Sequence, residues 1–378
     1  MSAVDTQRNQ GIDLLRGLSI LLVIFNHVGI RIPLRKSGFA DVMPPWVSHA
    51  LNFNGYQAVF VFFVISGFLI TGNALRRWGS LSQVQLRGFY ARRFARIMPL
   101  LLLLVLLLSL LHLVGATDYV IDRPGQSLGG ALASALGLYL NWYEGHTGYL
   151  PGNWDVLWSL SIEEVFYIGF PLVCLLTRRT AVLAPLLLLL ALSLPFTPSL
   201  AEGNDIWQEK AYLPGMAGIA TGVLTALMVV RLPAPRRAFN AVLGWGSALG
   251  LAGVMLMSPV LWSTLQDWYL LLLTGSVAGL LMSLHWSEQA GWRFPVPGFG
   301  WLRAMGRLSY EIYLSHMFVV YTAVQLYKAW GSDIRLGWLW YLPIVFVCWA
   351  LGAVIGRWIS TPADRGLRRR LLGTSSVG

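Results

Sequence analysis

The stretch GIDLLRGLSILLVIFNHV, Gly11 to Val28, decides the fold. It is an apolar run interrupted by Asp13, Arg16, Asn26 and His27. Ionisable groups at membrane depth cost roughly 2.5 to 3.5 kcal/mol each on insertion scales, so a helix that carries them across a bilayer has a use for them. Arg16 and His27 are eleven residues apart. At about 100° per residue this brings them within about 20° of one face, and at about 1.5 Å per residue it sets them roughly 16 Å apart along one stripe. One helix therefore carries a fixed cation at one depth and a titratable imidazole at another.

The rest of the chain belongs in the same solvent. Of its 378 residues, 56% are hydrophobic and 12% charged, with a mean hydropathy of +0.60, whereas soluble domains carry about 25% charged residues. The expected fold is all-α, a polytopic transmembrane helix bundle forming a single membrane domain over 1–378, with a basic cytoplasmic tail at 361–378. The net charge of +11 does not gather into one patch or a reader motif, so no nucleic acid partner is expected. Cys174 and Cys348 both lie in apolar segments and read as buried thiols, with neither a disulfide nor a metal site. Arg8 precedes an apolar run as in a signal peptide, but no small-residue cleavage site follows; a retained anchor is expected.

At about 20 residues per crossing, spans fall near 11–30, 55–75, 97–115, 157–176, 181–199, 211–230, 239–258, 266–285, 304–325 and 337–359, ten in all. The segment 127–143 is apolar but short and rich in Gly and Ala, which suits an interfacial or re-entrant helix as well as a span. With ten spans and both termini cytoplasmic, 21 of the 28 Lys and Arg residues lie on the inner side, Arg8 and Arg293 among them. Arg31, Arg35, Lys36, Arg123, Lys210, Lys328 and Arg335 lie outside. An eleventh span at 127–143 would move Arg178, Arg179, Arg231, Arg236 and Arg237 to the outer side and break the positive-inside rule. The longest outer connection, 116–156, mixes polar and aromatic residues, among them Trp142, Tyr149, Trp154 and Asp155. It reads equally as a carbohydrate contact and as an interfacial aromatic belt.

Four more stretches carry polar groups where lipid offers no solvent. In FFVISGFLIT, Phe62 to Thr71, Ser66 and Gly67 read as helix contact or pocket lining, since no nucleophile elbow surrounds the serine. In RGFYARRFARIMP, Arg87 to Pro99, Arg92 and Arg93 each share a helical face with Arg96, which suits a phosphate as well as topology signalling and lipid headgroups. WSLSIEEVFY, Trp158 to Tyr167, places Glu163 and Glu164 early in a span, with Ser159, Glu163 and Tyr167 on one face. A carboxylate there can orient an imidazole, orient a hydroxyl or pair with an arginine. GRLSYEIYLSHMF, Gly306 to Phe318, aligns Ser309, Tyr313 and His316 on one stripe and Glu311 with Ser315 on another. In lipid these groups must meet one another.

Together these stretches resemble the acyltransferase-3 family of membrane acyltransferases, whose members modify sugars and exported glycans. The likeness runs through Arg16 and His27, Phe62 to Ile70, Arg92, Arg93, Arg96 and Pro99, Trp158 to Tyr167, and Gly306 to His316. One departure is that Ser360 and Thr361 precede Pro362, where members often carry a glutamate two residues before that proline. The resemblance implies a cytoplasmic acyl-coenzyme A co-substrate, usually acetyl-CoA, a carbohydrate hydroxyl as acceptor, no permanently bound cofactor, and a multi-pass protein of the bacterial inner membrane. In this sequence Arg92, Arg93 and Arg96 would hold the coenzyme phosphates and Arg16 the mouth of the pantetheine channel. His27 would act as general base, oriented by Glu163, unless it carries the acyl group itself. Ser66, Trp158, Ser161, Tyr167, Tyr310 and His316 would line the substrate path. The alternative is a proton-coupled transporter or flippase of a lipid-linked glycan, with His27, Glu163 and His316 as a relay. No internal repeat of the kind such transporters show is visible. The acceptor's identity and the oligomeric state are left open.

Overall fold

The computed structural model describes residues 9–197, 203–292 and 298–373. Arg8, Arg293, the end of the expected fifth span at 198–199 and the last five residues of the expected tail lie outside them. All regular structure among the described residues is helical. In chain order the helices are α1 (Gln10–Gly29), α2 (Pro45–Phe53), α3 (Gly55–Trp78), α4 (Leu86–Leu113), α5 (Leu128–Leu136), α6 (Leu140–Thr147), α7 (Leu157–Thr177) and α8 (Thr180–Leu192). They continue as α9 (Asp205–Lys210), α10 (Tyr212–Arg231), α11 (Arg237–Leu265), α12 (Tyr269–Gln289), α13 (Gly300–Arg307), α14 (Ser309–Ala329), α15 (Tyr341–Ile355) and α16 (Thr361–Leu372).

Eight of the described helical stretches are long and apolar enough to cross a membrane, at α1, α3, α4, α7, α10, α11, α12 and α15. The two other expected spans correspond to α8 and α14. The 13 residues of α8 reach only about 20 Å at 1.5 Å each. α14 has 21 residues, length enough to cross, but spends much of its apolar quota on Ser309, Glu311, Tyr313, Ser315 and His316. The span expected at 304–325 is in fact two helices, because Leu308 leaves helical geometry between α13 and α14 (φ −102°, ψ 11°). The stretch 127–143 is not an eleventh span: it folds as α5 and α6, nine and eight residues long. The expected tail is a helix through Leu372, joined to α15 by a single π turn at Gly356–Ser360.

Local chemistry sets these boundaries. The Asn9 side chain accepts hydrogen bonds from the amides of Gly11 and Ile12, which fixes the start of α1 and hence the depth of everything on it. α3 packs most closely on α10, and two glycines make this possible. A Cβ on Gly67 would collide with the carbonyl of Ile219, and one on Gly222 with that of Val64. Gly67 therefore serves helix contact, as small residues do where lipid supplies no hydrophobic drive. Gly17 and Gly306 do the same for α1 and α13.

Candidate active site

Among the described residues, α1 serves two cavities that enter the bundle. The inner one, about 1170 Å³, is lined by Arg16 of α1, Ser66, Arg76 and Arg77 of α3, Arg92, Arg93 and Arg96 of α4, Glu163 and Tyr167 of α7, and Ser309 and Tyr310 of α14. Inner and outer here follow the positive-inside assignment. Arg16 donates from Nε (3.1 Å) and Nη2 (2.8 Å) to the Ser309 hydroxyl, so the break at Leu308 places an acceptor where helix one needs it. Tyr167 donates to Ser66 Oγ at 2.6 Å, and Glu163 lines the same cavity beside them. Arg93 pairs with Glu164 at 2.9 Å and lies 3.8 Å from the centroid of the Tyr167 ring. Arg96 pairs with the buried Glu311 at 2.8 Å beside Tyr310, whose hydroxyl donates to the Ile97 carbonyl.

The outer cavity, about 620 Å³, is lined by Asn26, His27 and Arg31 of α1, with Tyr56, Asp122, Tyr149, Asp155, Trp158, Lys210, Tyr313 and Tyr321 among its walls. Its chemistry is polyhydroxyl-compatible: aromatic faces alternate with hydrogen-bonding groups of both signs. Arg31 is held by the His27 carbonyl and the Tyr321 hydroxyl, both at 2.8 Å. Lys210, 2% exposed, is clasped between Glu144 at 2.9 Å and Asp155, with the Tyr149 ring 4.3 Å away. Burial raises the Glu144 carboxyl well above its ordinary pKa, with Asp155 adding to the effect and Lys210 opposing it.

The two cavities share Val59 and Tyr313 as lining residues. The Tyr313 hydroxyl donates to the Val156 carbonyl (3.1 Å) and accepts from Ser159 Oγ (2.7 Å), which pins the ring between them. Behind His27 stands His316, with ring centroids 5.1 Å apart at 48°. His316 Nδ1–H donates to the Tyr313 carbonyl at 2.7 Å. That leaves its Nε2, fully buried and without a hydrogen-bond partner, as an acceptor.

A family profile described as an acyltransferase domain, acyltransferase 3, matches residues 9–358. The chain belongs to the acyltransferase-3 family. It is 31% identical over 324 residues to a protein of Komagataeibacter xylinus provisionally named membrane-bound transacylase BcsY, covering 82% of this chain and 72% of that one. It is 26% identical over 299 residues to the peptidoglycan O-acetyltransferase OatA of Listeria monocytogenes, covering 71% of this chain and 46% of the relative. The chain thus spans less than half the length of the Listeria protein. No solved structure matches it.

Read as a multi-pass acyltransferase domain, the bundle sorts the sequence-derived residues by cavity. Arg16, Ser66, Arg92, Arg93, Arg96, Tyr167 and Tyr310 line the inner one, and His27 and Trp158 the outer one. Three expectations need correction. His316, expected on the substrate path, lines neither cavity and is fully buried. Glu163 lines the inner cavity, among Ser66, Arg93 and Arg16, and is not brought to His27; the ring that meets His27 is His316. Ser161 lines neither cavity, being 2% exposed and turned back to the Leu157 carbonyl at 3.2 Å. Helical periodicity already sets Ser161 about 200° from Ser159 and the face that Ser159 shares with Glu163 and Tyr167. The outer cavity also uses Arg31, Asp155 and Lys210, whose only sequence signal was an unusual cation or carboxylate on the sparsely charged outer side, and Tyr56, which carried no such signal.

Proposed function

We propose that this chain moves an acyl group, acetyl in the first instance, from cytoplasmic acyl-CoA to a hydroxyl of an exported glycan or glycoside, as a multi-pass protein of the bacterial inner membrane. The observation that carries this reading is that α1 presents Arg16 to one cavity and His27 to the other, with Tyr313 at the shared wall. A donor held at the inner face would extend its pantetheine arm past Arg16 and Ser66 and bring the thioester to that wall. The acceptor would lie in the outer cavity against Trp158 and Tyr56, whose rings are nearly parallel at 20° with centroids 6.4 Å apart.

His27 takes the proton from the acceptor hydroxyl as its oxygen attacks the thioester carbonyl. The C–S bond breaks, an ester forms, and the proton passes to the departing thiolate, giving the O-acyl product and free coenzyme A. His316 takes the positioning role that the sequence offered to Glu163: its acceptor Nε2 suits a His27 N–H, which leaves the other ring nitrogen of His27 basic. Glu163, Ser66 and Tyr167 form a polar lining for the amides of the pantetheine arm. Collapse of charge in a water-poor site makes each of these contacts worth more than in solvent.

The test is radiolabelled acetyl-CoA supplied to inverted membrane vesicles that contain a glycan acceptor. Label in the glycan, dependent on this protein, supports the enzyme; glycan movement across the membrane without label transfer supports the transporter reading instead.

A further inference from the structure

Lys210 and Arg31 both line the outer cavity, and their partners differ in kind. Lys210 is matched by the carboxylates of Glu144 and Asp155. Arg31 meets no carboxylate among the described residues. Its Nη1 donates to the His27 carbonyl and its Nη2 to the Tyr321 hydroxyl, both at 2.8 Å, and the guanidinium lies 4.5 Å from the centroid of the Tyr321 ring. The acids that line the same cavity are engaged elsewhere or turned to solvent: Asp155 holds Lys210, Glu209 accepts from the Tyr149 hydroxyl at 3.2 Å, and Asp122 is exposed.

Capping explains part of this arrangement. Arg31 follows the last turn of α1, where a cation is favoured and a carbonyl needs a donor. That task takes a single N–H, and Tyr321 takes one more. A guanidinium has further donors, set in a planar fork that matches a carboxylate or phosphate bidentately. Tyr321 is itself braced by Tyr119, with ring centroids 5.7 Å apart, and Tyr119 stacks on Phe318 at 5.8 Å. The fork is therefore held in place at a cavity wall before any ligand arrives, and little freedom is lost when it binds one. Neutral sugar hydroxyls would leave its charge unanswered.

We propose that Arg31 recognises an oxyanion on the acceptor, so that the outer cavity takes an acidic glycan bearing a carboxylate or a phosphate ester. This rests on the acyltransferase reading above. Arg31 comes four residues after His27, about 6 Å further along the helix axis on the same side. Its Nη1 reaches back to the His27 carbonyl. The oxyanion and the hydroxyl to be acylated thus belong to one sugar or to adjoining sugars.

The experiment measures binding of three probes to full-length protein in nanodiscs by ligand-observed NMR: methyl β-glucuronide, glucose 6-phosphate and methyl β-glucoside. Wild-type protein should bind at least one of the two acids about 10-fold more tightly than the neutral glycoside, the scale of a charge-assisted contact. Whichever acid it prefers names the oxyanion. Arg31→Gln should shrink that preference to about 2-fold or less, and Arg31→Lys, a point charge without the fork, should keep part of it. A wild type without acid preference would overturn the proposal. An equal loss for all three probes in Arg31→Gln would make Arg31 a helix cap alone and overturn it as well. An acid preference that depends on Arg31, in a protein that moves no label from acetyl-CoA to any of the three, would uphold Arg31 and overturn the acyl-transfer reading instead.

Discussion

His27 and His316 face each other with ring centroids 5.1 Å apart, one at the wall of the outer cavity and the other fully buried behind it. The hydrogen bond from His316 Nδ1 to the Tyr313 carbonyl makes its tautomer a consequence of helix geometry. If His316 holds His27 in turn, His316→Ala should lower kcat by about 10-fold or more, with the donor KM unchanged, and shift the pH–rate profile. Glu163→Gln should leave that profile in place. Steady-state kinetics across pH separates the two variants.

The ion pairs of α4 divide its arginines by role. Arg96→Ala strands Glu311, 2% exposed, as an uncompensated carboxylate. It should cost roughly 3 kcal/mol, the low end for breaking a buried pair because Arg96 itself is partly exposed. The double variant Arg96→Ala with Glu311→Gln should recover much of that loss in thermal unfolding. Arg92→Ala should instead act mainly on the acyl-CoA KM.

Tyr313 is expected to keep water and thioester apart until an acceptor is present. Tyr313→Ala would join the cavities on either side of it. Release of free coenzyme A without acceptor should then rise several-fold, as an opened site admits water. A thiol-trapping assay reads this directly, and an unchanged basal release would mean that the barrier lies elsewhere.

The buried Glu144–Lys210–Asp155 cluster yields a pH prediction. Because burial raises the folded-state pKa of Glu144 above the ordinary value of about 4.3, its contribution to stability is fully present below that ordinary value. It is lost as pH rises through the raised one. Glu144→Gln should therefore flatten the fall in melting temperature above about pH 4.5. Lys210→Ala, which leaves two carboxylates facing each other, should lower the melting temperature across the range.

Much of this was legible in the sequence, and the parts that were not have physical causes. Hydropathy and positive-inside counting located the helices because the bilayer tolerates few alternatives. Positive-inside counting rightly kept 127–143 from being an eleventh span, and hydropathy missed only the local break at Leu308 that divides 304–325 into two helices. The eleven-residue spacing of Arg16 and His27 foretold two depths on one stripe, and the helix keeps that register into two cavities. Which carboxylate meets which cation was not legible. Glu163, Glu164 and Glu311 all lie near arginines, and only helix rotation decides that Arg93 takes Glu164 and Arg96 takes Glu311. That Thr361, Asp364 and Arg368 of α16 line the inner cavity was hidden for another reason: an amphipathic helix after a π turn has the composition of a solvated tail.

The central claim is that His27 is the base that activates the acceptor hydroxyl. The most direct measurement is transfer of radiolabelled acetyl from acetyl-CoA by His27→Ala protein, confirmed folded by its thermal unfolding, in the same vesicles as wild type. The account predicts a loss of at least about 100-fold in transfer, in line with general-base contributions. Transfer within a few-fold of wild type would contradict it.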